Sequence, residues 1–187
     1  MPNLPMPEGV EYTDLKAIML DTEPLSVMNL LPDSYQDDLF YGDTPRLRYA
    51  QGAVAENKAH VTLQFGIHPM GGGYHRYVDA ALGNWTPADI QIDHVGFFPA
   101  SAEGYDYSVI VAHIVPSDSL LEARRRLSVL PFTDQFADEY KPHLTLCYIK
   151  GNADRDAWIG TLDQKFRGKS LEPLDLNYGD HTIKPFA

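Results

Sequence analysis

With 187 residues, 44% of them hydrophobic, the chain has enough apolar surface for one domain of moderate size or two small lobes sharing a core, which excludes global disorder. Only 15 basic residues stand against 26 acidic ones, and the formal net charge of −11 argues against sequence-independent binding to long DNA or RNA. The lone cysteine, Cys147, excludes an intrachain disulfide and a Cys-based zinc cluster.

Residues 1–14 contain Pro2, Pro5, Pro7 and Gly9 and read as an extended arm ahead of a single domain over 15–187. The arm has neither the basic nor the apolar segment of a signal peptide, and no apolar run reaches the ~18 residues that span a bilayer. A soluble, cytoplasmic protein without membrane contact is expected. LKAIMLD (15–21) is a short apolar run ended by acidic residues and Pro24, which suits a buried strand. Helical turns are expected around 25–30 and 33–41, with polar loop up to residue 58.

HVTLQFGI (60–67) reads as a strand stopped by Pro69 and the run Gly71-Gly72-Gly73. That run lacks the Lys and Ser/Thr of a phosphate-binding loop and opens no obvious helix, so no nucleoside-triphosphate cradle is expected. IDHVGFFP (92–99) and YDYSVIVAHIVP (105–116) form a predicted hairpin around the turn-prone ASAEG (100–104). Ser119 and Glu122 have capping-box spacing and open the helical pattern LLEARRRLSVL. HLTLCYI (143–149) is a strand again; Asn152 then caps ADRDAWIGTLDQKF, Gly168 closes it, and LEPLDLNY is the last strand. Mixed strands and helices with at least one hairpin define an α+β fold.

One pattern occurs twice. Lys58, His60, Thr62 and Leu63 recur, 83 positions on (143 − 60), as Lys141, His143, Thr145 and Leu146. Side chains alternate along a strand, so Lys58, His60, Thr62 and Gln64 would share one face, and Lys141, His143, Thr145 and Cys147 another. The intervening Val61 and Leu63, or Leu144 and Leu146, would face a core. Each copy thus presents an imidazole beside a hydroxyl, about 6.6 Å apart along the strand and able to touch one phosphate group.

Two imidazoles facing one substrate make an acid–base pair, since histidine titrates near ~6.5 and one ring can be neutral while the other is charged. The neutral ring takes a proton from water or a ribose hydroxyl, and the charged ring gives one to the departing oxygen. Which histidine plays which part the motifs leave open. Thr62 and Thr145 can hold non-bridging phosphate oxygens, while Lys58 and Lys141 add positive potential. A few such local cations suffice for a small anion in an acidic chain. This set needs neither metal nor cofactor.

Paired His-x-Thr-hydrophobic motifs, roughly eighty residues apart and each on a core strand, resemble the signature of the 2H phosphoesterases. That LigT-like superfamily includes 2'-5' RNA ligase-like proteins, 2',3'-cyclic nucleotide phosphodiesterases and phage anti-CBASS enzymes that destroy cyclic oligonucleotide signals. The likeness covers roughly residues 15–178 and puts His60, Thr62, His143 and Thr145 at the catalytic positions. It implies a bilobal α+β domain with two antiparallel-rich sheets, outer helices and a pseudo-twofold axis through a central cleft. The implied partner is a small nucleotide or cyclic oligonucleotide, with short RNA ends as the other class and no long duplex. The lysines are not part of the family motif, and the segments before His60 and after Ile67 are longer than the family's.

The remaining histidines carry less. His68 and His75 flank a connection expected to be solvated, and His94 and His113 read as satisfied or exposed strand residues. His181 has no evident partner. Cys147 would lie about 13 Å along the strand from His143, too far for a Cys–His pair on one strand. Arg124-Arg125-Arg126 reads as a solvated helix face.

Overall fold

The computed structural model describes residues 4–25, 27, 33–40, 59–70, 73–99, 106–134 and 140–186. Most of the helix expected around 25–30, Lys58, Gly71, Gly72 and the ASAEG turn lie outside them. Of the second early helix, residues 33–38 form a 3-10 helix.

The strands are β1 (Lys16–Thr22), β2 (His60–Ile67), β3 (Ile90–Pro99), β4 (Tyr107–Ile114) and β5 (His143–Lys150), followed by β6 (Ser170–Leu171), β7 (Pro173–Asn177) and β8 (Ile183–Pro185). They make two four-stranded antiparallel sheets, ordered β2-β1-β7-β8 and β5-β4-β3-β6. Each His-x-Thr strand is therefore an edge strand, and β2 and β5 are in contact. The predicted hairpin is β3–β4. The expected last strand is β7, but the chain turns back into β8, which LEPLDLNY did not reveal.

Among the described residues three α-helices cover the sheets. Helix α1 (Tyr74–Leu82) buries Tyr74, Val78 and Leu82, α2 (Asp118–Leu127) buries Leu120, Ala123 and Leu127, and α3 (Arg155–Phe166) buries Trp158, Leu162 and Phe166. In each the buried residues recur at three- or four-residue intervals, which is one face of a helix. Helix α2 packs on α1 and β2, while α3 packs on β3 and β4. Helix α1 corrects the expectation that no helix follows the glycine run: Gly73, with φ of 119°, is its N-cap. His75 accordingly belongs to a helix, where Nε2 is 2.8 Å from the Asp180 carboxylate.

The caps differ by a residue or two from those expected. Ser117, not Ser119, accepts from the Leu120 N–H, while Ser119 bonds the backbone of Thr86 and Ala88. Asp154, not Asn152, accepts from the Ala157 N–H at the start of α3. Gly168, at φ of 75°, follows the C-cap of α3 as expected. The N-terminal segment is held from Leu4 onward, whose N–H donates to the Phe132 carbonyl and whose carbonyl accepts from the Thr133 hydroxyl. Among the described residues no helix is long and apolar enough to cross a membrane.

Candidate active site

Both motif strands lose their alternation at the same point. In β2, Thr62 pairs with Met19 but Gln64 pairs with Ile18, so Leu63 and Gln64 together oppose one step of β1. In β5, Thr145 pairs with Val111 but Cys147 pairs with Ile110. Each is a one-residue bulge directly after His-x-Thr-Leu. The expectation that Gln64 and Cys147 share a face with the motif residues is therefore wrong. Both have turned to the core side beside Ile18 and Ile110, and both are 0% exposed. Burial also pushes the Cys147 thiol well above its ordinary range, away from the thiolate a nucleophile needs.

What stays on the motif face is His60 with Thr62, and His143 with Thr145. The two strands also meet through Tyr140, whose hydroxyl donates to the Thr62 carbonyl at 3.0 Å. Lys141 is exposed just before β5, and its carbonyl lies 2.8 Å from His143 Nδ1. A carbonyl only accepts, so Nδ1 of His143 carries the hydrogen and Nε2 is left as the basic atom. Burial lowers the His143 pKa, and the hydrogen bond to Lys141 opposes it without prevailing. The ring is also fixed from the side by Phe98, edge-on with centroids 4.9 Å apart.

Several residues of the motif face escaped the sequence reading. Opposite His60 stands Asp21, and opposite Asp21 stands Asp175. Opposite His143 stands His113, and opposite His113 stands His94. The His94 and His113 rings stack with centroids 4.5 Å apart, and His94 Nδ1 is 2.8 Å from the Asp93 carboxylate. Gly96 leaves room for this arrangement, because a Cβ there would come within 2.8 Å of His113 Nε2. These two histidines are thus neither scattered nor incidental to the motif. One signal was available: pairing of His94 with His113 centres the hairpin on ASAEG, where the turn was expected.

The arginine run is not wholly solvated. Arg125 and Arg126 bond Glu122, but Arg124 lies over the Tyr140 ring, 4.5 Å from its centroid, and 3.8 Å from Asp134. A surface depression lined by Asp37, Phe40, Lys150 and Asn152 lies at the other end of β5 and holds no motif residue. Among the described residues no three His, Cys, Asp or Glu side chains are grouped as metal ligands.

Two sheets, each with a His-x-Thr edge strand carrying the same bulge, make a bilobal 2H fold. The chain matches the 2'-5' RNA ligase superfamily over residues 35–176, and it belongs to that superfamily. No curated protein matches it.

Proposed function

We propose that this protein is a metal-independent phosphodiesterase in which His60 and His143 act as an acid–base pair on a nucleotide phosphodiester, while Thr62 and Thr145 hold its non-bridging oxygens. The observation that carries this reading is the duplicated half-site: two edge strands in contact, each with an imidazole and a hydroxyl on one face and the same bulge behind them. Such a pair supplies both proton transfers of hydrolysis, each worth ~10²–10⁴ in rate. Lys141, and Lys58 from the sequence repeat, add positive potential for the phosphate.

The substrate class we favour is a cyclic nucleotide or cyclic oligonucleotide, an immune signal among them, because the formal charge of −11 disfavours long RNA. A second class is RNA ends bearing 2',3'-cyclic phosphates or 2'-5' linkages, the latter supported by the name of the superfamily. A non-catalytic module that sequesters a nucleotide is the reading that cleavage would eliminate.

The test is a product assay in EDTA on wild type, His60→Ala and His143→Ala. The substrates are 2',3'-cyclic mononucleotides, a 2'-5' dinucleotide and a panel of cyclic di- and trinucleotides. Loss of at least ~10² in rate in both variants is expected. Full activity in either variant removes that histidine from the mechanism, and activity abolished by EDTA in the wild type refutes metal independence. Tight binding of one ligand that is recovered intact after denaturation establishes sequestration instead.

A further inference from the structure

The two half-sites correspond residue by residue, and the correspondence exposes a chemical difference. Across the first sheet run His60, Asp21 and Asp175; across the second, at matching positions, run His143, His113 and His94. One step along, Thr62, Met19 and Asn177 match Thr145, Val111 and Gly96. The backbones are equivalent, so what differs is charge. One motif histidine has two carboxylates behind it, and the other has two imidazoles.

We propose that these cross-strand rows divide the labour between the motif histidines, Asp21 with Asp175 holding His60 as the imidazolium acid while His143, which has no carboxylate opposite it, serves as the neutral base. This rests on the phosphodiesterase reading above. Asp21 is then a positioning residue, acting through the ring beside it.

Directly opposed residues on antiparallel strands have Cβ atoms about 4.5–5.5 Å apart, within the range where an opposite charge favours the ionised form and a like charge disfavours it. Asp21 and Asp175 are only 3% and 7% exposed, so their field is weakly screened. Asn177 Nδ2 lies 3.3 and 3.2 Å from the two Asp21 oxygens and, as a donor, favours the ionised carboxylate. Two adjacent buried carboxylates repel each other, and a cation at His60 relieves that repulsion.

On the other side the facing groups are His113, His94, Asp93 and Lys141. Burial lowers the His113 pKa first, and His94, His143 and Lys141 lower it further, against an opposing pull from Asp93. Within this row it is the His143 charge that lowers His113, while His143 itself is lowered by burial and keeps its Nδ1 hydrogen on the Lys141 carbonyl, which leaves Nε2 free to take a proton. In hydrolysis, His143 Nε2 takes a proton from water as the water oxygen bonds phosphorus. The bond from phosphorus to the leaving oxygen breaks, that oxygen takes the proton of His60, and solvent returns both rings to their starting charge.

The test is a histidine titration by NMR of the imidazole Cε1–H signals, assigned with His60→Ala and His143→Ala, on wild type, Asp21→Asn and Asp175→Asn. The expected result is that His60 titrates above His143 in the wild type. Asp21→Asn moves the His60 midpoint down, and Asp175→Asn does so less. In kcat/KM, Asp21→Asn loses about tenfold at pH 8 and less at pH 6. His143 titrating above His60 overturns the proposal, as do midpoints indifferent to the variants; the wild-type order needs no variant to fold. The expected midpoints in a protein that cleaves nothing would sink the phosphodiesterase reading and leave the rows standing.

Discussion

Tyr140 is bonded to the strand that carries the other motif: its hydroxyl donates to the Thr62 carbonyl at 3.0 Å, three residues ahead of His143. Burial pushes the Tyr140 pKa up to about 12 despite the nearby Arg124, so the hydroxyl remains a donor at any working pH. Arg124 stacks on the same ring and reaches the Leu63 carbonyl at 3.4 Å, which makes the cluster a strut between β2 and β5. Tyr140→Phe keeps the stack and removes one hydrogen bond. We expect about 1 kcal/mol of destabilisation in urea unfolding. The accompanying loss in kcat should be about tenfold with KM little changed, because half-sites that shift relative to each other lose alignment. An unchanged kcat would show that the strut does not register the half-sites.

The threonines test the hydroxyls directly. Thr62 and Thr145 are half-buried on the motif face, so Thr→Val preserves shape and β-propensity while removing the donor. Each Thr→Val should lower kcat/KM by about 10- to 100-fold, as removal of an oxyanion donor does, with unfolding changed little. Thr→Ser restores the hydroxyl and should recover most of the rate. Equal losses for Val and Ser would mean that the threonines serve packing rather than phosphate.

The strands that carry the motifs were legible because their pattern is local: His and Thr alternate with Val61, Leu63, Leu144 and Leu146, and period two needs no partner to be seen. The bulges were not, since nothing in HVTLQF or HLTLCY departs from alternation and only the pairing to Ile18 and Ile110 shows the extra residue. Helix α1 was readable in principle, with Tyr74, Val78 and Leu82 four apart, but the glycine run ahead of it outweighed that signal. Asp21 behind His60 and His113 behind His143 depend on pairing between strands some thirty to forty residues apart, which composition and period do not encode.

Cys147 provides a check on the bulge. The side chain is fully buried on the core side, and burial holds its thiol in the neutral form. An aromatic disulfide reagent should leave the native protein unmodified and react with one thiol per chain after unfolding. Cys147→Ala should retain kcat within about twofold, with a stability loss of about 1 kcal/mol from the small cavity. Rapid modification of the native thiol would place Cys147 back on the motif face.

Stability should fall on mild acidification. His68, His113 and His143 all have pKa values lowered chiefly by burial, so the folded protein resists protons that the unfolded chain accepts near ~6.5. Their contribution is complete above that value and is lost as pH falls from it through the lowered folded values. Asp163 behaves in the same sense lower down: burial would raise it, but the Val95 N–H and Arg167 hold it below its ordinary range. Its stabilisation is present above an unfolded pKa near ~4 and lost as pH falls below that. Urea midpoints measured from pH 8 to pH 4 should decline below about 6.5, and His113→Gln should flatten that first decline. A midpoint constant from pH 7 to pH 5 would contradict the burial of these rings.

Gly66 lies where β2 meets the segment that leads to the second motif. Its carbonyl accepts from the Thr133 N–H at 2.9 Å, and the next residue, Ile67, bridges Phe132. At φ of 80° the backbone is in the left-handed region, and an added Cβ would fall 1.9 Å from the Thr133 carbonyl oxygen. That oxygen belongs to backbone held on several sides. The Thr133 hydroxyl donates to the Leu4 carbonyl at 2.7 Å, so it accepts from His68 Nε2 at 2.8 Å, and the N-terminal arm is tied into the same knot. Gly66→Ala combines left-handed strain of about 1–2 kcal/mol with overpacking of about 1–3 kcal/mol, so we expect a loss near 3 kcal/mol in urea unfolding. Gly160→Ala, inside α3 with nothing within 4 Å of the new methyl, should instead gain about 0.5–1 kcal/mol from helix propensity. Equal effects at the two glycines would mean that β2 does not pass Thr133 this closely, and the coupling of the arm to the first motif strand would fall with it.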